Sequence, residues 1–341
     1  MTVFRNKKCL VYCGALPVIA FMAAVCWWLT DVNLPDSETD PCIFAIKRGM
    51  TAGEIGKVLH ARGIIRNVFF FNMVARFYGL SRDFKAGDHV LYGKMSLIRL
   101  ARLLTQNPPE PEIKATIIEG LNIYETASLL ACQAGIDSIA FVASAKDSSI
   151  TKNLGVDNKT LEGYLYPETY FIRPDTTPLQ MITRMVNQFN MVFTDSLKKR
   201  ASELGMSIND VVILASLIEA EAHIKEERPI ISSVFHKRLK KNWPLEANPT
   251  IQYALGTKRR ILNDDLEILS PYNTYVYPGL PPGPIANPGI QSLLAALYPA
   301  ETDYLYFVAD GKGGHVFSRT LDEHTKAVHD YRITKKTSHV Q

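Results

Sequence analysis

The sequence has little of the charge and few of the motifs by which many protein classes are recognised. Its 341 residues carry a net charge of only +4. No cluster of Lys and Arg with interleaved aromatic residues occurs, which argues against a nucleic-acid-binding protein. GxSxG, HExxH and Walker A motifs are also absent, and the eight histidines are scattered. Serine-hydrolase, zinc-peptidase and P-loop chemistry are therefore not indicated, and we expect no metal and no cofactor.

Cysteine is scarce where it could stabilise a folded domain. Of five cysteines, only Cys42 and Cys132 lie outside one apolar N-terminal segment. Two cysteines are too few for a disulfide framework or a cysteine-rich zinc site. They either form one bridge in an oxidising compartment or stay separate thiols, and the sequence leaves both alternatives open.

The sequence does contain a long uncharged apolar run, from Cys9 to Thr30. About 20 apolar residues suffice to cross the core of a bilayer. Three basic residues precede the run and four acidic residues follow it between positions 31 and 40, which places residues 1–8 in the cytoplasm and the rest outside. A cleaved signal peptide is the alternative, but it has a shorter apolar core and a small-residue cleavage site. We predict a single-pass anchor at 9–30 and a linker at 31–42.

A weak internal repeat follows the linker. Residues 46–55 and 118–127 each contain a glycine, a polar residue two positions later and a glutamate five positions later. The spacings Thr51-x-x-Glu54 and Asn122-x-x-Glu125 are typical of N-caps that begin a helix. The repeat resembles the strand–helix start of small LysM-like glycan-binding folds, and two generic β-turn-α units are the alternative.

The apolar periodicity and the chain breaks predict an α+β ectodomain. Proline-rich residues 107–111 separate a LysM-like subdomain at 43–107 from a second repeat unit and connecting region at 108–178. A catalytic domain at 179–341 follows. Helices are predicted at 54–62, 68–78, 96–105, 179–203, 211–222 and 229–241, and a strand at 304–309.

Glu219 is the residue whose position most needs an explanation. Seven of the eight residues from Val211 to Ile218 are apolar, so this helix should be buried on nearly all sides. Burial without a partner raises the pKa of a carboxyl group, and a protonated carboxyl in an apolar cleft can act as a general acid at a glycosidic oxygen. The structural alternative is an ion pair with Lys225 or Arg228.

The next glutamate, Glu221, points about 200° away from Glu219 around the helix axis. The two carboxylates therefore cannot face one cleft, which argues against a hydrolase with paired acids flanking the bond. A reaction that needs a single carboxyl group fits better. Further along, prolines and glycines at 279–289 predict a rigid loop that could form one wall of a site.

Several sequence blocks resemble one known family. They are ASLIEAEA (215–222), VFHKRL (234–239), LEANPTIQYALG (245–256), SPYNTY (270–275), GLPPGPIANPG (279–289) and YLYFVADGKGGHVFSRTLDEH (304–324). In this order they are similar to the endolytic murein transglycosylases, also called the MltG- or YceG-like family. The resemblance extends from about residue 43 to the end of the chain, and LEGYLYPETY (161–170) matches the family's aromatic block.

The resemblance implies a lytic reaction on peptidoglycan. In that reaction the β-1,4 bond between N-acetylmuramic acid and N-acetylglucosamine is cut within a nascent strand. The C6 hydroxyl of the muramic sugar attacks its own C1 and leaves a 1,6-anhydro end, which terminates strand elongation. Glu219 occupies the family's catalytic position, where it would protonate the leaving oxygen and then accept the hydroxyl proton.

The resemblance also implies which residues bind substrate: Glu221, Asn248, Tyr272, Asn273, Thr274, Asn287 and His315. The chain departs from the family pattern at two positions. Members often have Asp where this chain has Asn248, which puts a charged role there in doubt, and often Asn where it has Lys237.

A family member with the predicted anchor would face the cell wall from the inner membrane, with its N-terminus in the cytoplasm. Its partners would be glycan strands and the membrane, with peptidoglycan synthases as candidate protein partners and no nucleic acid. The main alternative is a non-catalytic, membrane-anchored glycan-binding scaffold of cell-wall synthesis. A cytosolic folate-pathway lyase conflicts with the predicted topology.

Overall fold

The computed structural model describes residues 32–34, 42–108 and 112–338. The chain divides into two compact units, Met1–Pro111 and Glu112–Gln341. Both contain helices and antiparallel strands, which confirms the α+β class. The predicted anchor at 9–30 lies outside the described residues, and a separate boundary near residue 178 stays a prediction.

In the first unit, helices pack on a two-stranded antiparallel sheet. The strands are β1 (Cys42–Ile46) and β2 (Gly87–Leu91), paired so that Phe44 lies opposite His89. The helices are α1 (Ala52–Ala61), α2 (Val68–Phe77) and α3 (Leu97–Leu103), with a 3₁₀ turn at Leu80–Arg82. The helices predicted at 54–62, 68–78 and 96–105 are thus confirmed, whereas the LysM-like character of this unit stays a prediction.

Local sequence explains where helix α1 begins. The Thr51 hydroxyl accepts a hydrogen bond from the Glu54 N–H, and the Glu54 carboxylate accepts one from the Thr51 N–H at 2.7 Å. This is the predicted capping box, which satisfies two backbone donors that a helix start leaves open. The same arrangement occurs in the second unit between Asn122 and Glu125. The core of the first unit is apolar and includes Phe44, Ile55, Leu59, Phe71, Leu91 and Leu100.

The second unit is mainly helical. Its helices are α4 (Ile123–Ala134), α5 (Ser138–Ala145), α6 (Ser148–Asn153), α7 (Pro178–Val192), α8 (Asp195–Glu203), α9 (Ile208–Glu221), α10 (Arg228–Lys240), α11 (Asn248–Leu255), α12 (Ile290–Leu297) and α13 (Leu321–Ser338). Its strands form two antiparallel pairs, β3 (Ile113–Thr116) with β4 (Thr169–Ile172) and β5 (Tyr306–Ala309) with β6 (His315–Ser318). Short 3₁₀ turns occur at Lys225–Glu227 and Asp264–Glu267.

Helix α9 lies in the centre of the second unit. It packs against α10, α11 and α12, and every residue from Val211 to Ile218 is buried. Its N-terminus is closed by the predicted capping box between Ser207 and Asp210. A helix that is apolar on all sides is stable only where neighbours cover each face, which explains the central position of α9.

The single helix predicted over 179–203 is wrong, because the structure has two helices there. Phe193 leaves the helical conformation with ψ 73°, and Thr194 is extended at φ −64° and ψ 166°. The Phe193 ring is buried and stacks on Phe189, with ring centroids 5.5 Å apart. Thr194 then begins α8 as its N-cap residue, a position that threonine favours.

Two open questions from the sequence concern cysteines and membranes. Cys42 belongs to the first unit and Cys132 to the second, and each is a free thiol in the structure. Within the described parts of the chain, no single helix is both long and apolar enough to cross a bilayer. Helices α8 and α9 together, bent by 92°, reach that threshold by length and composition only.

Glu162 is a buried carboxyl in the second unit. It accepts hydrogen bonds from the Ile123 N–H at 3.0 Å and from the Tyr253 hydroxyl at 3.2 Å. Only 2% of the residue is exposed. Burial raises the pKa of Glu162 to about 8, and the bond from the Ile123 N–H opposes part of that rise. The folded chain therefore retains a proton on Glu162 at neutral pH.

We expect Glu162→Gln to weaken the loss of stability that accompanies rising pH. Between the ordinary glutamate pKa of 4.5 and about 8, the folded state holds a proton that the unfolded state has lost, so the free energy of unfolding falls as pH rises. Glutamine does not titrate. The melting temperature of Glu162→Gln minus that of the wild type should therefore increase from pH 5 to pH 8, whereas the same difference for exposed Glu301→Gln should stay flat.

Candidate active site

The last turn of α9 carries Glu219 out of the buried part of the helix and into a set of hydrogen-bond donors. Glu219 Oε1 accepts a hydrogen bond from Arg228 Nη2 at 2.8 Å, and Oε2 accepts one from the Gly289 N–H at 3.0 Å. Only 5% of the Glu219 side chain and 8% of the Arg228 side chain are exposed. The structural alternative of an ion pair is therefore present, and Arg228 rather than Lys225 forms it.

Arg228 is fixed by the elements on either side of it. It is the first residue of α10, and its Nε donates to the Ser292 hydroxyl of α12 at 3.0 Å. Its remaining terminal nitrogen, Nη1, is buried without a hydrogen-bond partner among the described residues. A buried donor without a partner is unfavourable, so this position is suited to an acceptor atom from a ligand.

The predicted rigid loop brings Gly289 to Glu219, and Asn287 holds that loop in place. Its side-chain oxygen accepts hydrogen bonds from the N–H groups of Gly163 and Leu165 at 2.9 and 3.0 Å. Its Nδ2 donates to the Leu121 carbonyl at 2.8 Å. The Asn287 backbone pairs with the same turn, since its carbonyl accepts from the Gly120 N–H and its N–H donates to the Leu121 carbonyl, both at 2.9 Å.

The turn that Asn287 holds places a second carboxyl group, Glu119, beside Glu219. A Cβ added to Gly289 would overlap Glu119 Oε1, and one added to Gly120 would lie 3.7 Å from Glu219 Cγ. Burial raises the pKa of Glu119, and the nearby Glu219 raises it further, while Arg228 and Lys225 oppose the rise. No motif in the sequence marks Glu119 as a site residue.

Glu119 and Glu219 line one open cleft of about 500 Å³. The other lining residues come from the end of β3, the segment after it, the segment before β4 and the first residue of β4: Thr116, Ile117, Ile118, Pro167, Glu168 and Thr169. We call this the Glu219 cleft. Its acidic groups and backbone edges are suited to a polar, uncharged ligand with many hydroxyl groups.

Glu221 faces a different cleft, as its spacing from Glu219 predicts. This second cleft, of about 540 Å³, is also lined by Asn248 and His315. Burial raises the pKa of Glu221 to about 7, although a hydrogen bond from the Asn248 N–H lowers it. The structure therefore brings together three of the predicted substrate-binding residues, which we refer to with their surroundings as the Glu221 cleft.

Partners within the protein orient the other two residues of the Glu221 cleft. The Asn248 side-chain oxygen accepts a hydrogen bond from the Tyr275 hydroxyl at 2.7 Å. His315 Nδ1 lies 2.7 Å from Glu227 Oε2, and the His315 N–H donates to Glu227 Oε1 at 3.0 Å. Both side chains are thus held in fixed positions at the wall of the cleft.

The remaining predicted binding residues have structural contacts. Asn273 and Thr274 are buried. Asn273 Nδ2 donates to two carbonyl groups at 2.9 Å each, and the Thr274 hydroxyl accepts from the Ala247 N–H at 3.0 Å. Tyr272 is half-buried against Tyr253, with ring centroids 4.9 Å apart. These side chains, like that of Asn287, shape the loops around the clefts.

The structure also bears on metal binding. In the parts of the chain that it describes, no three His, Cys, Asp or Glu side chains are grouped so that they could hold a metal ion.

Comparisons with known proteins agree on a family. The sequence profile of the YceG-like family matches residues 44–330. A protein of Bacillus subtilis strain 168, named endolytic murein transglycosylase, is 37% identical over 306 residues, covering 85% of this chain and 84% of that protein. A protein of the same name from Streptococcus pneumoniae strain R6 is 29% identical over 325 residues, and the match spans 58% of its length.

A solved structure is also similar. It is the crystal structure of a yceG-like protein from Listeria monocytogenes, 31% identical in sequence. The superposition has a TM-score of 0.58 and covers 84% of this chain and 99% of that one.

We expect Arg228→Met to destabilise the second unit, because it leaves the Glu219 carboxylate buried without its cation. Breaking a buried pair from one side typically costs about 3–5 kcal/mol. The double variant Arg228→Met/Glu219→Gln, which removes both charges, should recover much of that loss. Urea unfolding of the three proteins measures the effect. Equal stability of the single and double variants would show that the ion pair is not what the arginine stabilises.

We also expect Asn287→Ala to destabilise the fold by about 2 kcal/mol or more, since it leaves the N–H groups of Gly163 and Leu165 without an acceptor, each costing about 1–3 kcal/mol. The matched control is Asn158→Ala, because among the described residues the Asn158 side chain accepts only from the exposed neighbouring N–H of Lys159. Thermal unfolding should separate the two variants clearly. Similar melting temperatures would contradict the structural role of Asn287.

Proposed function

The chain belongs to the YceG-like family, and from that premise we propose that it is a peptidoglycan lytic transglycosylase with Glu219 as its acid/base. Relatives named endolytic murein transglycosylase support the substrate and the type of reaction. The proposed bond is the β-1,4 linkage from N-acetylmuramic acid to N-acetylglucosamine within a strand.

The observation that carries this proposal is the position of Glu219. Its carboxyl group lies in the last turn of a buried helix and lines an open cleft. Both oxygens are held by donors, one on Arg228 and one on the loop at Gly289. A carboxyl group fixed from two sides has the preorganisation that proton transfer to a bound substrate requires.

In the proposed reaction, Glu219 acts twice. As an acid it gives a proton to the leaving O4 while the bond from C1 to O4 breaks. As a carboxylate it then accepts the proton of the C6 hydroxyl while O6 bonds to C1. The proton is returned, no water is consumed, and the product carries a 1,6-anhydro end. One carboxyl group suffices because the two steps occur on the same face of the sugar.

We propose that the Glu221 cleft takes a further part of the glycan. Glu221, Asn248 and His315 lie together there, and a carboxyl with its pKa raised to about 7 can donate a hydrogen bond as well as accept one. Sugars present both hydroxyl donors and acetamido acceptors. The neutral Asn248 side chain can serve such a ligand without a charge, so its departure from the family pattern is compatible with glycan binding.

The place of action is also a proposal. The apolar run from Cys9 to Thr30, with basic residues before it and acidic residues after it, supports an inner-membrane anchor with the N-terminus in the cytoplasm. The enzyme would then act on strands beside the peptidoglycan synthases as they are made. The LysM-like unit would position or bind the same strands.

A non-catalytic glycan-binding scaffold is the second candidate, and one observation favours it. The ion pair between Glu219 and Arg228 is the contact that a purely structural carboxylate would make. In a scaffold, the same clefts would hold glycan without cutting it.

The test is to incubate the full chain in detergent with uncrosslinked glycan strands and to identify the new ends by mass spectrometry. We expect 1,6-anhydro ends from the wild type and none from Glu219→Gln. Ordinary reducing ends would indicate a hydrolase instead. Strands that bind to both proteins and are cut by neither would favour the scaffold.

A further inference from the structure

Gly289 separates two carboxyl groups that come from distant parts of the sequence. Its N–H donates to Glu219 Oε2, and its Cα, which bears no side chain, leaves the space that Glu119 Oε1 fills. The turn carrying Glu119 cannot move away independently, because Gly120 and Leu121 are bonded to the backbone of Asn287. The two carboxyl groups are therefore held on either side of one residue.

Two carboxylates held this close repel each other, so their protonation is linked. The other charged groups acting on Glu119 are Arg228 and Lys225, both of which favour its ionised form. Glu168 lines the same cleft, and the pKa of Tyr166 is raised by burial and further by the nearby Glu119. Arg228 donates directly to Glu219, so Glu219 by itself has partners suited to a carboxylate.

These contacts create a difficulty for a general acid, which must begin the reaction protonated. The guanidinium of Arg228 and the N–H of Gly289 both stabilise negative charge on Glu219. A neighbouring negative charge acts in the opposite direction and favours retention of a proton. Glu119 is the carboxyl group that the fold places in that position.

We propose that Glu119 is a positioning residue for the reaction, whose negative charge beside Glu219 keeps one proton on the pair so that Glu219 can act as the acid. This inference rests on the proposed function and deepens it. The pair begins with one proton and one negative charge. The proton passes to O4 as the bond from C1 to O4 breaks, and the C6 hydroxyl returns a proton to the pair as O6 bonds to C1.

The test is the pH dependence of kcat for the full-length wild type, Glu119→Gln and Glu168→Gln on uncrosslinked strands. Without the charge of Glu119, Glu219 should lose its proton at lower pH. The alkaline limb for Glu119→Gln should therefore move toward acid pH by about 1 unit or more, with activity recovered at low pH. Glu168→Gln changes the charge of the same cleft, and its limb should stay near that of the wild type.

Other outcomes would overturn the proposal. A rate for Glu119→Gln that falls equally at every pH would indicate a merely structural role, as would a lower melting temperature with an unmoved limb. An unchanged profile would show that Glu119 has no role, and a shift of the same size in Glu168→Gln would show a general effect of cleft charge. The proposed function itself fails if the wild type makes no anhydro ends, or if Glu219→Gln makes as many anhydro ends as the wild type. Either result is independent of the pH profile of Glu119→Gln.

Discussion

A carboxylate at the end of a fully buried helix must have donors, and much of the second unit can be understood as supplying them. Helix α9 is covered on every side up to Ile218, and the next residue is Glu219. An unpaired charge at that depth would cost several kcal/mol. Arg228 donates a hydrogen bond to Glu219 from the start of α10, and the Gly289 N–H donates a second one from the loop before α12. The packing of these segments against α9 therefore also provides the hydrogen-bond donors that hold the Glu219 carboxyl group in place.

The loop that supplies the second donor is stabilised by one amide. Asn287 bonds to the turn after β3 and to the aromatic segment at 163–165 through its side chain alone. Three segments that are far apart in the sequence thus meet at a buried side chain that makes three hydrogen bonds. A hydrogen-bonded buried polar group fixes a unique arrangement better than an apolar contact does. The turn that carries Glu119 into the Glu219 cleft is held in this way and not by regular secondary structure.

The sequence predicted what depends on local pattern and missed what depends on distant pairing. The capping residues of α1, α4 and α9, the buried character of α9 and the opposite directions of Glu219 and Glu221 follow from spacing along the chain. The pattern does not predict the break at Phe193, because an apolar residue would be buried there in one continuous helix as well as in two separate helices. Only the backbone conformation shows that the helix ends. The sequence does not indicate Glu119, because the contact that makes it a site residue is with Gly289, 170 residues later in the chain. The family pattern has the same limit. It identifies Asn273 and Asn287 as important residues, but it does not show that their side chains bind the protein's own backbone and not a substrate.

Because Gly289 has no side chain, the residues at positions 289 and 119 cannot change independently during evolution. Any side chain there would occupy the space of the Glu119 carboxyl, so a substitution at 289 is tolerated only after the acid at 119 has shortened or turned away. If Glu119 is lost first, the space beside position 289 becomes empty, and alanine or serine could then replace Gly289. Among descendants of this sequence, a residue other than glycine at 289 should therefore accompany either the loss of Glu119 or a Glu119 side chain that has turned away.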